Sequence, residues 1–154
     1  MSRHPLDGLI RDGRHLQPVR VYYEDTDAAG LVYYANYLKF MERARSDMLR
    51  AAGIDQVAEL QRSGSAYAVS EVAIRYRKPA QLGDDLLVVS KVSAIRAASV
   101  VIQQRVRRGD EQVADATVTV AFIGPDRRPQ RQPREWVERF NSIASKGQDA
   151  STNT

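Results

Sequence analysis

The hydrophobic period of this chain changes after its one long helical stripe, in a way that leaves few folds open. Tyr37, Met41, Ala44, Met48 and Ala51 recur at spacings of three and four, the stripe of one amphipathic helix. After Gly64 that period disappears. Four segments rich in Val, Ile, Tyr and Thr follow, Tyr67 to Lys78, Asp85 to Ile95, Ser99 to Arg107 and Gln112 to Ile123, and these read as strands. One long helix can hide its stripe against a sheet only if the sheet curls around it. The helix should run from about Ala35 to Ala52, roughly 27 Å at 1.5 Å per residue, and Gly53 followed by Ile54 supplies a left-handed cap with a hydrophobic contact. A shorter helical stretch spans Gln56 to Arg62.

Ahead of the helix, Val19, Val21 and Tyr23 alternate with Arg20, Tyr22 and Glu24, which predicts a first strand over Pro18 to Asp25. The separators Pro79 to Asp84, Arg96 to Ala98 and Arg108 to Glu111 are short enough for direct hairpins, so the later strands are expected to form a meander. Trp136, Val137, Phe140, Ile143 and Ala144 fall on one stripe of a C-terminal helix over Arg134 to Ser145. The fold class is therefore α+β, with about five antiparallel strands wrapped around one long helix and a C-terminal helix beside them. Residues 18–145 make one domain, 1–17 a flexible leading segment and 146–154 a disordered tail. Such a sheet keeps edges that a second copy could cover, so a homodimer or homotetramer is expected.

Composition removes several kinds of chemistry. The 154 residues hold no Cys and only His4 and His15, which excludes disulfides, thiolate metal sites and cysteine nucleophiles and leaves no His-ligated metal centre. Reactivity must come from carboxylates, hydroxyls and backbone. A net charge of +4 is scattered and small beside that of a nucleic-acid binder, and no reading element for bases is recognisable. The basic run Arg127 to Arg134 reads as a solvated surface loop, with a phosphate or partner contact as the alternative. No segment approaches the roughly 20 apolar residues of a membrane helix, and the N-terminus lacks the apolar stretch of a signal peptide, which predicts a cytoplasmic protein.

Between first strand and helix lies Glu24-Asp25-Thr26-Asp27-Ala28-Ala29-Gly30. Its Asp-x-Asp-x-x-Gly spacing also begins an EF-hand calcium loop. That loop would need Asp or Asn where Ala29 stands and Glu where Asn36 stands, with a helix before it, so calcium is rejected. On spacing alone, two carboxylates before a helix would simply solvate a turn and favour the positive end of the helix dipole.

The longer string Val21-Tyr22-Tyr23-Glu24-Asp25-Thr26-Asp27-Ala28-Ala29-Gly30-Leu31-Val32-Tyr33-Tyr34-Ala35-Asn36-Tyr37, followed by Phe40, Glu42, Arg43 and Ala44, resembles the hotdog-fold acyl-CoA thioesterases. Within them it is most similar to the YbgC branch of the 4-hydroxybenzoyl-CoA thioesterase group, which is associated with the Tol-Pal system. The resemblance covers about residues 18 to 125 and implies the same strand, helix and strand order as the periodicity. It places the catalytic carboxylate on Asp27, acting as nucleophile or as general base on water, and the oxyanion donors on the helix-start N–H groups at about Tyr34. Gly30 would allow a tight turn and close backbone approach, or serve only as a turn residue with φ > 0. Asp25 takes a supporting or purely structural part. The YbgC branch usually carries His where this chain has Tyr34, so the backbone role survives and a side-chain acid–base role does not transfer.

Coenzyme A, a part of the substrate rather than a cofactor, needs cations for its phosphates. By resemblance Arg96 and Ser99, in the turn Ser93 to Ser99, contact the nucleotide, against the plainer reading of a solvated turn. Arg77 and Lys78 in Arg75-Tyr76-Arg77-Lys78-Pro79-Ala80 are the other basic candidates, unless Arg75 and Arg77 form the wet face of a strand. Val32, Tyr33 and Tyr37 are candidate acyl-pocket walls or ordinary core. The resemblance implies hydrolysis of a short-chain or aromatic acyl-CoA, at a site shared between subunits. The competing reading is a non-catalytic acyl-CoA-binding, acyl-carrier-binding or scaffold protein of a cell-envelope or lipid-synthesis complex. A dehydratase would need a core His paired with a carboxylate.

Overall fold

The computed structural model describes residues 4–152, with side chains through residue 144. Its sheet has six antiparallel strands: β1 (Leu9–Arg11), β2 (Arg14–Arg20), β3 (Ala66–Tyr76), β4 (Asp85–Ile95), β5 (Ser99–Arg108) and β6 (Glu111–Ile123). Helices α1 (Asn36–Ala51), α2 (Gln56–Ser63) and α3 (Arg134–Thr152) complete it. The strand order is β1-β2-β4-β5-β6-β3.

Helix α1 forms where its stripe requires. Tyr37, Phe40, Met41, Ala44, Met48 and Leu49 are buried against the inward side chains of the curled sheet, Val88, Val100, Ile102, Val106, Val118 and Val120 among them. Each large side chain so buried contributes about 1.5–3 kcal/mol. The helix ends as its sequence predicts. Gly53 has φ +81, the Ile54 N–H donates to Leu49 O at 2.8 Å and the Gly53 N–H to Arg50 O at 3.0 Å, while the Ile54 side chain is buried. Trp136 and Phe140 of α3 join the same core.

Four expectations need correction. Residues 9–17 are not a loose leader. They form the β1–β2 hairpin, turning through Asp12 (φ 52) and Gly13 (φ 76), and Asp-Gly between strands is itself a hairpin signal. Preceding them, Pro5–Asp7 makes a 3-10 turn; residues 1–3 lie outside the described residues. The first expected strand is displaced, because β2 pairs with β4 only from His15↔Ser90 to Arg20↔Asp85 and Tyr23–Asp25 then forms a 3-10 turn. The sheet thereby gains a sixth strand. The meander is confined to β4, β5 and β6, since β3 pairs with β6 at the far edge rather than with β4. The segment between β3 and β4 is a crossing loop and not a hairpin: the Ala80 N–H donates to the Tyr37 hydroxyl at the start of α1, and Leu31 pairs with Gln81 on the way. Finally, α3 continues past residue 145 to Thr152, and residues 153 and 154 of the expected tail lie outside the described residues.

Candidate active site

The turn from Thr26 to Val32 closes on itself. Thr26 pairs with Val32, the Asp27 N–H donates to Leu31 O at 2.8 Å, and the Gly30 N–H donates to Asp27 O at 3.1 Å. Gly30 has φ +79, and a Cβ there would meet nothing within 4 Å. Conformation rather than crowding asks for glycine. One oxygen of the Asp27 carboxylate, Oδ1, accepts the Ala29 N–H at 2.9 Å and the Leu31 N–H at 3.1 Å. The second oxygen has no partner among the described residues, and the side chain is exposed. The carboxylate is thus fixed in direction by backbone donors while one oxygen stays available.

Asp25 does different work. Its Oδ2 accepts the Tyr22 N–H at 2.9 Å, and its carbonyl accepts the Tyr33 N–H at 3.1 Å and Asn36 Nδ2 at 2.8 Å. These bonds hold the turn against the first residue of α1. Asn36, not singled out by sequence reasoning, carries the helix side of that tie, and its only sequence signal is its place at the first turn.

The helix start is open. Ala35 precedes α1 without a capping side-chain bond, and the Tyr34 and Ala35 N–H groups have no acceptor among the described residues. Unpaired N–H groups at the positive end of a helix dipole attract developing negative charge. The Tyr33 and Tyr34 rings lie in contact outside the core, with centroids 4.8 Å apart, and Tyr34 meets Tyr76 of β3 edge-on at 6.1 Å. Hydrogen bonding to Tyr34 pushes the Tyr33 hydroxyl above its ordinary pKa. Val32 and Tyr37 are buried in the core, and Tyr37 packs against Phe40 and Tyr76. Burial likewise raises the Tyr37 hydroxyl.

The basic candidates divide. Arg77 forms a two-point ion pair with Asp115 at 3.0 and 3.1 Å, and Lys78 pairs with Glu111 at 2.9 Å. The Arg77 guanidinium holds the Asp115 carboxyl below its usual range. Both cations are partly neutralised within the chain. Arg96 and Ser99 sit at the β4–β5 turn, which sequence reasoning did not connect with the basic run after β6. Gln132 joins them: its side chain donates to Arg96 O at 2.7 Å and Ser99 O at 3.2 Å, and its N–H donates to Ala97 O at 2.9 Å. A groove of about 550 Å³ results, lined by Arg96, Arg131, Arg134, Val137 and Asn141. Arg134 lies 3.5 Å from Glu138, and Arg96 and Arg131 have no ion pair among the described residues. The structure does not bring this groove to Asp27. The Asp27 turn lies by the Asp85 end of β4 and the groove at the Ile95 end, 11 residues along the strand, roughly 33 Å at about 3.3 Å per residue.

Among the described residues no group of His, Asp and Glu could hold a metal ion, and no helix is long and apolar enough to cross a membrane.

Comparison with known proteins places these features in context. A family model described as the thioesterase-like superfamily matches residues 21–142. The chain is 40% identical over 127 residues to the acyl-CoA thioesterase YbgC of Haemophilus influenzae, covering 82% of this chain and 93% of that protein. It is 31% identical to a probable thioesterase from Bartonella henselae of known structure, with a TM-score of 0.74, over 78% of this chain and 99% of that one. A 1,4-dihydroxy-2-naphthoyl-CoA thioesterase from Synechocystis, 22% identical, shares the fold with a TM-score of 0.78 over 83% of this chain and 96% of that one.

Proposed function

The chain belongs to the thioesterase-like superfamily and is a thioester hydrolase, and from that premise we propose that it cleaves a short-chain or aromatic acyl-CoA to the free acid and coenzyme A with Asp27 as the reacting carboxylate. The observation that carries this reading is the Asp27 side chain, one oxygen locked by two backbone N–H groups and the other open, on a turn that closes against a helix start with unused donors. Thioester cleavage needs a nucleophile at the carbonyl carbon and donors where the oxygen becomes negative. The free Asp27 oxygen either attacks that carbon, expelling the thiolate and leaving an anhydride for water to open, or takes a proton from the attacking water. The Tyr34 N–H, with that of Ala35, receives the developing oxyanion, and losing one such donor costs roughly 3–4 kcal/mol of transition-state stabilisation.

The same reading gives the phosphates of coenzyme A to Arg96 and Ser99 of the β4–β5 turn, with Arg131 and Arg134 lining the groove beside Arg96. Since one chain holds this groove and Asp27 at opposite ends of the sheet, the working unit becomes an oligomer in which one copy's groove serves its neighbour's Asp27. Strand β3 supports that assembly, being a sheet edge with Val69 and Tyr76 about half exposed.

Asp27→Asn tests the assignment sharply, because an amide oxygen can still accept the Ala29 and Leu31 N–H groups and keep the turn. Thiol release from acetyl-, butyryl- and benzoyl-CoA is expected to fall below about 1% of the wild-type rate, a loss of roughly 3 kcal/mol or more, with an unchanged circular dichroism spectrum. Full activity in that variant would overturn the role of Asp27, and binding of the esters without turnover by the wild type would overturn the hydrolysis itself.

A further inference from the structure

The Asp27 turn is built on a platform that is not part of it. The loop from Pro79 to Asp84 bonds to the chain before the turn and to the turn's own second half. Before it, the Val21 N–H donates to Asp84 O at 2.9 Å and the Gly83 N–H to Val21 O at 3.0 Å. Within the turn's second half, the Leu82 N–H donates to Gly30 O at 2.9 Å and the Val32 N–H to Ala80 O at 2.9 Å. Wherever this loop goes, the carboxylate of Asp27 goes with it.

One side chain holds both ends of the loop. Arg108, at the end of β5, directs Nη1 to Pro79 O at 3.1 Å and to Asp84 Oδ2 at 2.7 Å. The same Asp84 oxygen accepts the Gln81 N–H at 2.8 Å, so the guanidinium also fixes the carboxylate that shapes the loop's interior. The pair is largely shielded, with side-chain exposures of 26% and 23%, and solvent screens it less than the open pairs elsewhere on the surface. The opposite side of the loop is tied to α1 by the Ala80 N–H on the Tyr37 hydroxyl at 3.0 Å. With Tyr37 fixed in the core, Arg108 is the side chain that ties the outer half of the loop to the end of β5.

We propose that Arg108 is a positioning residue for thioester hydrolysis: by bridging Pro79 and Asp84 it sets the platform that aims the Asp27 carboxylate at the substrate carbonyl. The proposal rests on the assignment of Asp27 above. Reaction geometry is sensitive on this scale, since a displacement of about 1 Å can cost roughly 100-fold in rate. Arginine suits the task because Nη1 carries two hydrogens for the two loop acceptors, while Nη2 lies 3.6 Å from Glu111 and steadies the guanidinium plane.

Arg108→Met should lower kcat by about 10- to 100-fold while KM for the acyl-CoA stays within about threefold, and Arg108→Lys should fall between it and the wild type. Phe140→Leu, in α3 and remote from the loop, is the control for lost stability alone: assayed well below its Tm, it should keep its kcat. Amide hydrogen exchange without substrate supplies a second measurement. Val21, Val32, Leu82 and Gly83 should exchange at least about tenfold faster in Arg108→Met, with Val100 and Ile102 unchanged. A kcat within twofold of wild type, a fall shared by Phe140→Leu, or unaltered exchange at the four platform amides would each overturn the proposal. If the wild type releases no thiol from any acyl-CoA, the assignment of Asp27 fails, and the exchange experiment still decides whether Arg108 fixes the turn.

Discussion

His15 has one ring nitrogen committed and the other stranded. It is fully buried; Nε2 lies 2.7 Å from Asp7 O, so it must carry the hydrogen, while Nδ1 is buried without a partner among the described residues. Burial holds the imidazole below its ordinary pKa of 6.5, against the upward pull of the Asp7 carbonyl and of the Asp47 and Asp7 carboxylates. An unfolded chain would take up the proton first as pH falls, so the stability His15 contributes is complete above 6.5 and is lost below it, toward the lower folded value. Urea denaturation of the wild type should therefore weaken between about pH 7.5 and 5.5, and His15→Gln should remove part of that slope whatever its absolute stability. An identical slope in the variant would mean that other groups govern the acid response. At this scale the sequence reports the turn before α1 that carries Asp27, because its motif is local, and is silent about the burial of His15. Burial of that residue depends on pairing with Ser90, which no local pattern reports.

Elements were legible where they bury their own stripe, and α1, β4 and β5 lie almost where periodicity puts them. Their arrangement was legible only in part. Loop length allows Pro79 to Asp84 to be a hairpin; long-range bonds to Tyr37, Gly30 and Val32 make it a crossing loop and send β3 to the far edge. Likewise, the basic run after β6 looked like a solvated loop because its anchor, Gln132, is a polar residue that folds inward to 3% exposure. Its side chain also accepts the Tyr67 hydroxyl, whose pKa burial raises. Gln132→Ala would leave the Tyr67 hydroxyl and the two carbonyls of the β4–β5 turn with fewer partners, a destabilisation of about 1–3 kcal/mol. Because the segment carrying Arg131 would loosen with it, KM for acyl-CoA should rise several-fold while kcat holds. A raised KM without the stability loss, or the reverse, would separate the anchor from the groove.

For the whole molecule the decisive quantity is the length of the sheet. A substrate joined to Asp27 at one end of β4 cannot also reach Arg96 and Arg131 of the same chain at the other, and an antiparallel partner placed along the β3 edge would bring its own groove to the Asp27 end. Two damaged chains should then repair each other. Asp27→Asn keeps its groove, and a variant with Arg96→Glu and Arg131→Glu keeps its carboxylate, so a mixed dimer contains one complete site. Each variant alone should be nearly inactive at substrate concentrations well below KM. After subunit exchange, equal mixtures should recover about a quarter of wild-type activity, since half the dimers are mixed and each holds one good site of two. Native mass spectrometry can verify that mixed dimers formed. If they form and activity does not return, Arg96 and Arg131 do not serve a neighbour's Asp27, and the anionic ligand of their groove is something other than the substrate being cleaved.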